Sequence, residues 1–249
     1  MTSNSGTGSH LPALSLLEVF KSLGLLTEKP ADKIPHDVDL KYIIAMKLTN
    51  PQIAESLGAS KTTVDIVQAV ELTANLLDSY SETGRVEYLH EADRMYTRTV
   101  QRLPADIRQE VILRSAAALT YFHHEAAVAL RIKRGEQFLQ EEVVEYLLRR
   151  GSDSLIYEGL LKRDGIWSPG LAAGFRVRQA LWDLEDDVRD LEEDKRTIGA
   201  NVLLLFTNST YDIGNLASSL LNQARQLEIP NPLLEAIEDQ YELTSSALA

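Results

Sequence analysis

Apolar residues recur along the chain at spacings of three and four with almost no strict alternation, so nearly every segment reads as amphipathic helix. Glycine and proline punctuate the pattern at Lys29-Pro30, Pro35, Asn50-Pro51, Gly84, Pro104, Gly135, Gly151, Gly165, Pro169-Gly170, Gly199, Gly214 and Pro230/Pro232. Between these breaks the spacing predicts helices over 11–26, 38–48, 51–57, 61–82, 86–101, 105–133, 137–163, 171–196, 200–206, 210–227 and 231–243. Gly151, preceded by Arg149 and Arg150, is expected to interrupt the helix over 137–163. No linker, low-complexity tract or fixed-period repeat divides the pattern. It predicts an all-α chain: one helical domain over 11–249 behind a Ser/Thr/Gly-rich, disordered leader over 1–10.

Two of these helices carry acids beside their apolar face. Over 171–196, Val177, Leu181, Leu184, Val188 and Leu191 form the apolar stripe, and Asp183, Asp187, Asp190 and Asp194 run next to it with Asp186 alongside. Over 61–82 the stripe is Val67, Val70, Ala74 and Leu77, bordered by Glu71, Asn75, Asp78 and Glu82. If the two helices face each other across a cleft, their oxygens suit a hard cation such as Mg²⁺, which keeps several waters and shares phosphate oxygens. The competing account is a solvated charged face, since Arg189 and Arg196 lie at helical spacing from Asp186 and Glu192.

Composition narrows the chemistry. The 249 residues carry a formal net charge of −12 and no cysteine. Disulfides, thiolate zinc sites, iron–sulfur clusters and thiol nucleophiles are therefore excluded, and a reducing, cytoplasmic setting is expected. A catalytic metal would sit on oxygen or imidazole. No apolar run approaches the roughly 18–20 residues that cross a bilayer, and the start lacks a basic, apolar signal, so no membrane span is expected. An acidic surface repels phosphates at long range, so nucleic acid is not expected as a partner without a local basic patch, and an anionic substrate needs such a patch or a bridging cation.

Trp182-Asp183-Leu184-Glu185-Asp186-Asp187-Val188-Arg189-Asp190, with Gly199 nine residues further on, resembles the second aspartate-rich motif of the trans-prenyl diphosphate synthases, F-Q-x-x-D-D-x-x-D with a downstream Gly-Lys. Trp182 takes the Phe position, Asp183 the Gln and Ala200 the Lys. Asp78-Ser79-Tyr80-Ser81-Glu82 resembles the first box, D-D-x-x-D/E, with Ser79 at its second Asp, and Glu71-Leu72 lies upstream as Glu-Leu/Met does in the family. The resemblance implies a single helical bundle of the isoprenoid (terpenoid) synthase type, with Mg²⁺ as cofactor and an allylic prenyl diphosphate as substrate. By that resemblance the metal ligands are Asp78, Glu82, Asp186, Asp187 and Asp190, and Asp78, Asp186, Asp187 and Asp190 carry the catalysis. Arg85, Arg149, Arg150, Lys195 and Arg196 are the expected diphosphate binders.

The expected pocket holds Glu71, Asn75, Tyr121, Phe122, Trp182 and Asp183, with Tyr80, Tyr157, Phe175 and Phe206 as further aromatic candidates. Chain-elongating synthases also carry a basic Gly-Lys-x-x-R segment and an Arg pair after the first box; here only Lys41, Lys47 and the lone Arg85 stand in those regions. A one-substrate reaction, cyclisation or elimination as in class I terpene synthases, is therefore expected ahead of condensation. Related enzymes are often homodimers.

Three other readings compete. Residues 49–64 resemble a helix-turn-helix, with Ile53-Ala54-x-x-Leu57-Gly58-x-Ser60 supplying a first helix, a turn and a capped second helix. Its second helix offers only Lys61 among acids, too few cations for specific duplex binding, and Ser60 serves equally as the N-cap of an ordinary hairpin. Glu87-x-x-His90 matches one half of a di-iron bundle motif but has no second half, and His123-His124-Glu125 lacks paired histidines at helical spacing. A catalytically silent partner subunit that keeps the fold would explain Ser79 and Ala200.

Overall fold

The computed structural model describes Leu16 and residues 50–166, 168–196, 201–205 and 213–248, without the side chains of residues 81–83, 122, 123, 126 and 193. Every regular element among the described residues is a helix: α1 (Asn50–Ser56), α2 (Lys61–Thr83), α3 (Val86–Arg102), α4 (Ala105–Lys133), α5 (Gln140–Arg150), α6 (Ser154–Arg163), α7 (Leu171–Asp194), α8 (Val202–Leu205), α9 (Ile213–Gln226) and α10 (Asn231–Leu248). The helices predicted over 11–26 and 38–48, Leu16 apart, lie outside the described residues, as do Lys41, Lys47, Gly199, Ala200 and Phe206. None of the described helices is long and apolar enough to cross a membrane.

Local chemistry sets the boundaries. Gly58 takes φ 84° in the turn after α1, a left-handed conformation that side chains disfavour. Ser60 then caps α2 by accepting from the Thr63 amide at 3.3 Å. The residues of the helix-turn-helix order thus form a short helix, a turn and a capped second helix. Its outermost turn carries Lys61 paired with Asp65, and α2 runs on into the bundle, closing at Gly84 with φ 68°. Glu87 and His90 lie exposed on α3.

The helix predicted over 137–163 is two helices, because Gly151 ends α5 and α6 restarts at Ser154. Gly151 is buried against α7, and a Cβ built there would stand 3.1 Å from both Arg176 Cα and Gln179 Cβ. The absent side chain lets the α5–α6 corner press onto α7, which brings Arg150 beside the α7 acids.

The packing has one hub. α7 lies against α5, α6, α8, α9 and α10, and its predicted apolar face is buried at Val177, Leu181 and Leu184. This forms the larger core, joined by Ile53, Val67, Val70, Tyr146, Tyr157 and Phe175 among others. A smaller core gathers Leu16 with Leu77, Tyr80, Tyr88, Tyr96, Ile112 and Leu119. At the C-terminal end, Thr244 donates to the Leu181 carbonyl at 2.9 Å and Gln240 donates to Glu185 at 2.6 Å, tying α10 to α7 by buried polar contacts. α2 and α7 make little direct contact, and a cavity separates them where the two cores meet.

Replacing Gly151 with alanine forces the α5–α6 corner off the α7 backbone and is expected to destabilise the chain by about 1–2 kcal/mol, read as a lower midpoint in chemical denaturation. A variant as stable as the wild-type chain would contradict that close approach.

Candidate functional site

The cavity, about 140 Å³, is bounded by α2 through Glu71, Asn75 and Asp78 and by α7 through Arg178, Gln179, Trp182 and Asp183. Arg150 from the end of α5, Asp153 from the α5–α6 corner and Tyr121 from α4 complete its polar wall. Leu16, Val70, Ala74, Leu77, Leu119 and Ile156 supply apolar surface. The two acid-bearing helices therefore border one space.

Arg150 organises one end of it. Its Nη1 contacts Asp187 Oδ1 at 2.8 Å and its Nε lies 3.4 Å from Asp183 Oδ2. Asp183 Oδ1 also accepts from the Gln179 amide at 2.8 Å, and Oδ2 has no hydrogen-bond partner among the described residues. Asp187 is fully engaged, because its second oxygen accepts from the Val202 amide at 2.8 Å. Asn201 donates to the Asp187 carbonyl at 2.6 Å and to Asp194 at 2.8 Å, binding the chain that follows α7 back onto it. Asp187 thus anchors Arg150 on one side and the start of α8 on the other.

Acids outnumber cations here. Burial lifts the Asp183 carboxyl to about 7, against the attraction of Arg150, with Asp187 and Asp78 adding repulsion. Glu125 on α4 is also raised by burial to about 7, with Asp78, Asp187 and Asp183 again opposing Arg150. The Asp187 carboxyl is raised by burial and held back by Arg150 and the Val202 N–H. Although burial works against it, the Arg150 guanidinium is held well above its ordinary range by Asp183 and Asp187. Four carboxyls around one guanidinium retain protons or attract a further cation.

The other end is built around Arg178, which donates to Asn50 Oδ1 at 3.0 Å and lies 5.9 Å from the Trp182 ring centre. Burial pulls this guanidinium below its ordinary value despite Glu71, Tyr157 and Asp153 nearby. Tyr157 in turn donates to Asp153.

Of the residues expected from sequence, Glu71, Asn75, Asp78, Tyr121, Arg150, Trp182 and Asp183 line the cavity together. The triplet Asp186, Asp187 and Asp190 does not converge on it: Asp187 is buried behind Arg150, Asp186 is half-buried and Asp190 is exposed. Asp186 points about 100° away from Asp187, and Asp190 stands about 10 Å along the helix from Asp183, past the cavity wall. Arg85 sits 5.3 Å over the Tyr88 ring and is absent from the cavity wall. Arg149 pairs with Glu145, Lys195 with Glu192 at 2.6 Å, and Arg196 donates to the Glu192 carbonyl, all on exposed surface. Tyr80, Tyr157 and Phe175 are buried in the cores, the last two edge to face at 5.6 Å. The side chains of Glu82 and Phe122 lie outside the described residues.

Sequence reasoning missed Arg178, Gln179, Asp153 and Glu125. The run Gln179, Asp183, Asp187 at four-residue spacing was a readable signal for Gln179. Nothing local distinguishes Arg178 from a surface arginine. No family model, curated protein or solved structure matches the chain.

Two outcomes follow. Asp187→Asn weakens a buried ion pair and the α8 anchor and is expected to cost about 3 kcal/mol in denaturant unfolding, whereas Asp190→Asn stays within about 0.5 kcal/mol. Equal stabilities would remove Asp187 from its anchoring role. The second concerns pH. Glu125 prefers its proton in the folded chain, so its stabilising contribution is complete below its ordinary value of 4.5 and is lost as pH rises to about 7. The melting temperature should therefore fall across that window, and Glu125→Gln should flatten the fall; an unchanged slope would show that Glu125 is not held protonated.

Proposed function

We propose that this chain is a helical bundle of the isoprenoid-synthase type that binds an allylic prenyl diphosphate with Mg²⁺ in the α2–α7 cavity and ionises it towards cyclisation or elimination. The observation supporting this is the meeting of Asp78 and Asp183, distant in sequence, on one cavity wall with Arg150. Among the described residues no group of three or more acids or histidines is arranged to hold a metal. Asp78 and Asp183, two of the four carboxylates that line the cavity, nevertheless suit Mg²⁺, which is commonly held by one or two carboxylates together with substrate phosphates. Asp183, whose Oδ2 makes only the 3.4 Å contact with Arg150 among the described residues, supplies an oxygen for it.

When bound, the cation would neutralise the departing diphosphate as a Lewis acid. The chain's own groups do the rest. Arg150 presents a planar fork of donors to phosphate oxygens, and Asp187 fixes its position. Tyr121 and Trp182 offer ring faces to a developing positive charge, and Val70, Leu77, Leu119 and Ile156 exclude water from it. Arg85 is not on the wall, and the Arg pair that chain-elongating synthases carry after the first box has no counterpart in the sequence, which favours one substrate over condensation.

One observation favours a catalytically silent relative: the Ser79 hydroxyl, at the position of the missing aspartate, donates to the Asn75 carbonyl at 3.0 Å. Incubation with dimethylallyl, geranyl, farnesyl and geranylgeranyl diphosphates and Mg²⁺, with and without isopentenyl diphosphate, decides between them. The expected result is diphosphate release without the added five-carbon unit, lost in Asp183→Asn and retained in Asp190→Asn. Release only with isopentenyl diphosphate would indicate elongation, and no release from any of the four would support the silent relative.

A further inference from the structure

The longest described helix, α4, has one side that no other described element covers. It turns Ser115, Leu119 and Tyr121 towards the cavity and packs mainly against α3, α5 and α6. Along its outer side Asp106, Leu113, Thr120, Ala127 and Arg134 follow one another at intervals of seven residues, and all five are exposed. Seven residues are nearly two full turns, so the five form one column. Leu113, 59% exposed, meets Ala117 and Leu155 of α6 at a surface groove beside that column. Ala116 and Ala117 are exposed as well, so the middle of the face is small enough for a second helix to come close.

Thr120 is the midpoint of a reversed charge pattern. An apolar residue stands seven positions to either side of it, and fourteen positions away stand an acid, Asp106, and a base, Arg134. The adjoining column repeats the order, with Glu110 near the start of α4 and Arg131 near its end. Within one chain this order suits the helix dipole. It also makes the face complementary to itself when a second copy lies across it in the opposite direction, whereas a parallel copy would set acid against acid. The outermost charges are held only loosely by their own chain: Asp106 is 3.8 Å from Arg163 and Arg134 is 3.9 Å from Glu136, with side chains 69% and 62% exposed.

We infer that the outer face of α4 binds the same face of a second copy of this chain, antiparallel, with the two Thr120 residues at the two-fold axis. Leu113 packing on Ala127 of the second copy supplies attraction, and the two Asp106–Arg134 pairs fix direction and register. The cavity lies on the opposite side of α4, so the inference is independent of the diphosphate reading.

The association state of the full chain is measured by analytical ultracentrifugation over a concentration series, and a monomer–dimer equilibrium is expected. Leu113→Glu is expected to leave monomer only. Asp106→Arg and Arg134→Asp, each alone, bring like charges together and are expected to weaken the dimer about tenfold, while the double variant returns it to within about threefold of the wild-type chain. The chain has no cysteine, so Thr120→Cys adds a single thiol. Two such thiols at a two-fold axis come within disulfide reach, and oxidative cross-linking is expected for Thr120→Cys well above that of Ser246→Cys on the exposed side of α10.

A monomer at every concentration overturns the inference. So does a dimer that survives Leu113→Glu, or a double charge variant no tighter than either single one, because the contact then lies elsewhere or runs in another direction. Melting curves verify that each variant folds; should Leu113→Glu not fold, the charge pair and the cross-link decide. Absence of diphosphate release bears on the earlier reading alone, since mass is measured without substrate.

Discussion

The structure turns on one buried ion pair, Arg150 against Asp187, with Asp183 alongside. It joins the end of α5 to the middle of α7, and α7 is the helix around which five others pack. Two buried charges repay their desolvation only when the remaining hydrogen-bonding capacity is also met. For Asp187 it is met by the Val202 amide, which draws the chain beyond α7 into the same knot. For Asp183 it is met only in part, and that carboxyl faces the cavity. Position along the helix thus divides two buried aspartates into an anchor and a ligand candidate on the cavity wall.

The cavity exists because α2 and α7 are held apart rather than packed. Each helix belongs mainly to a different set of contacts: α2 to α1 and α3, α7 to the helices that follow Lys133. The smaller and larger cores meet along the line between them. Packing at such a seam is incomplete, and the polar side chains along it have no solvent to turn to. They find one another instead, as Arg178 does with Asn50 and Arg150 with its aspartates. The excess of carboxyls over guanidiniums at the Arg150 end leaves an electrostatic demand that protons meet at low pH and a cation would meet at high pH.

Much of this was legible in the sequence. Periodicity and breakers placed the helices from Asn50 onward to within a few residues, because local spacing alone sets which residues share a helix face. The N-cap at Ser60 and the interruption at Gly151 were likewise local matters. The convergence of the α2 and α7 acids on one space was suggested by their common position at the rim of an apolar stripe. Which acids would converge was less legible. The Asp186-Asp187-x-x-Asp190 pattern drew attention to three residues, yet Asp183, one turn earlier, is the one on the cavity wall.

The amino-acid sequence by itself determined an all-helical chain, the buried faces of α2 and α7 and the presence of acids beside them, since each follows from the 3.6-residue repeat and from side-chain chemistry. Only the tertiary structure decided that Asp187 would be spent on Arg150 and Val202, that Asp190 would reach solvent, and that Arg178 and Glu125 would be drawn inside. Those outcomes depend on where α4, α5 and the residues after α7 come to rest, which depends on contacts between segments tens of residues apart. A glycine at 151 allowed the closest of those approaches. The chain encodes that contact, but no spacing within one helix displays it.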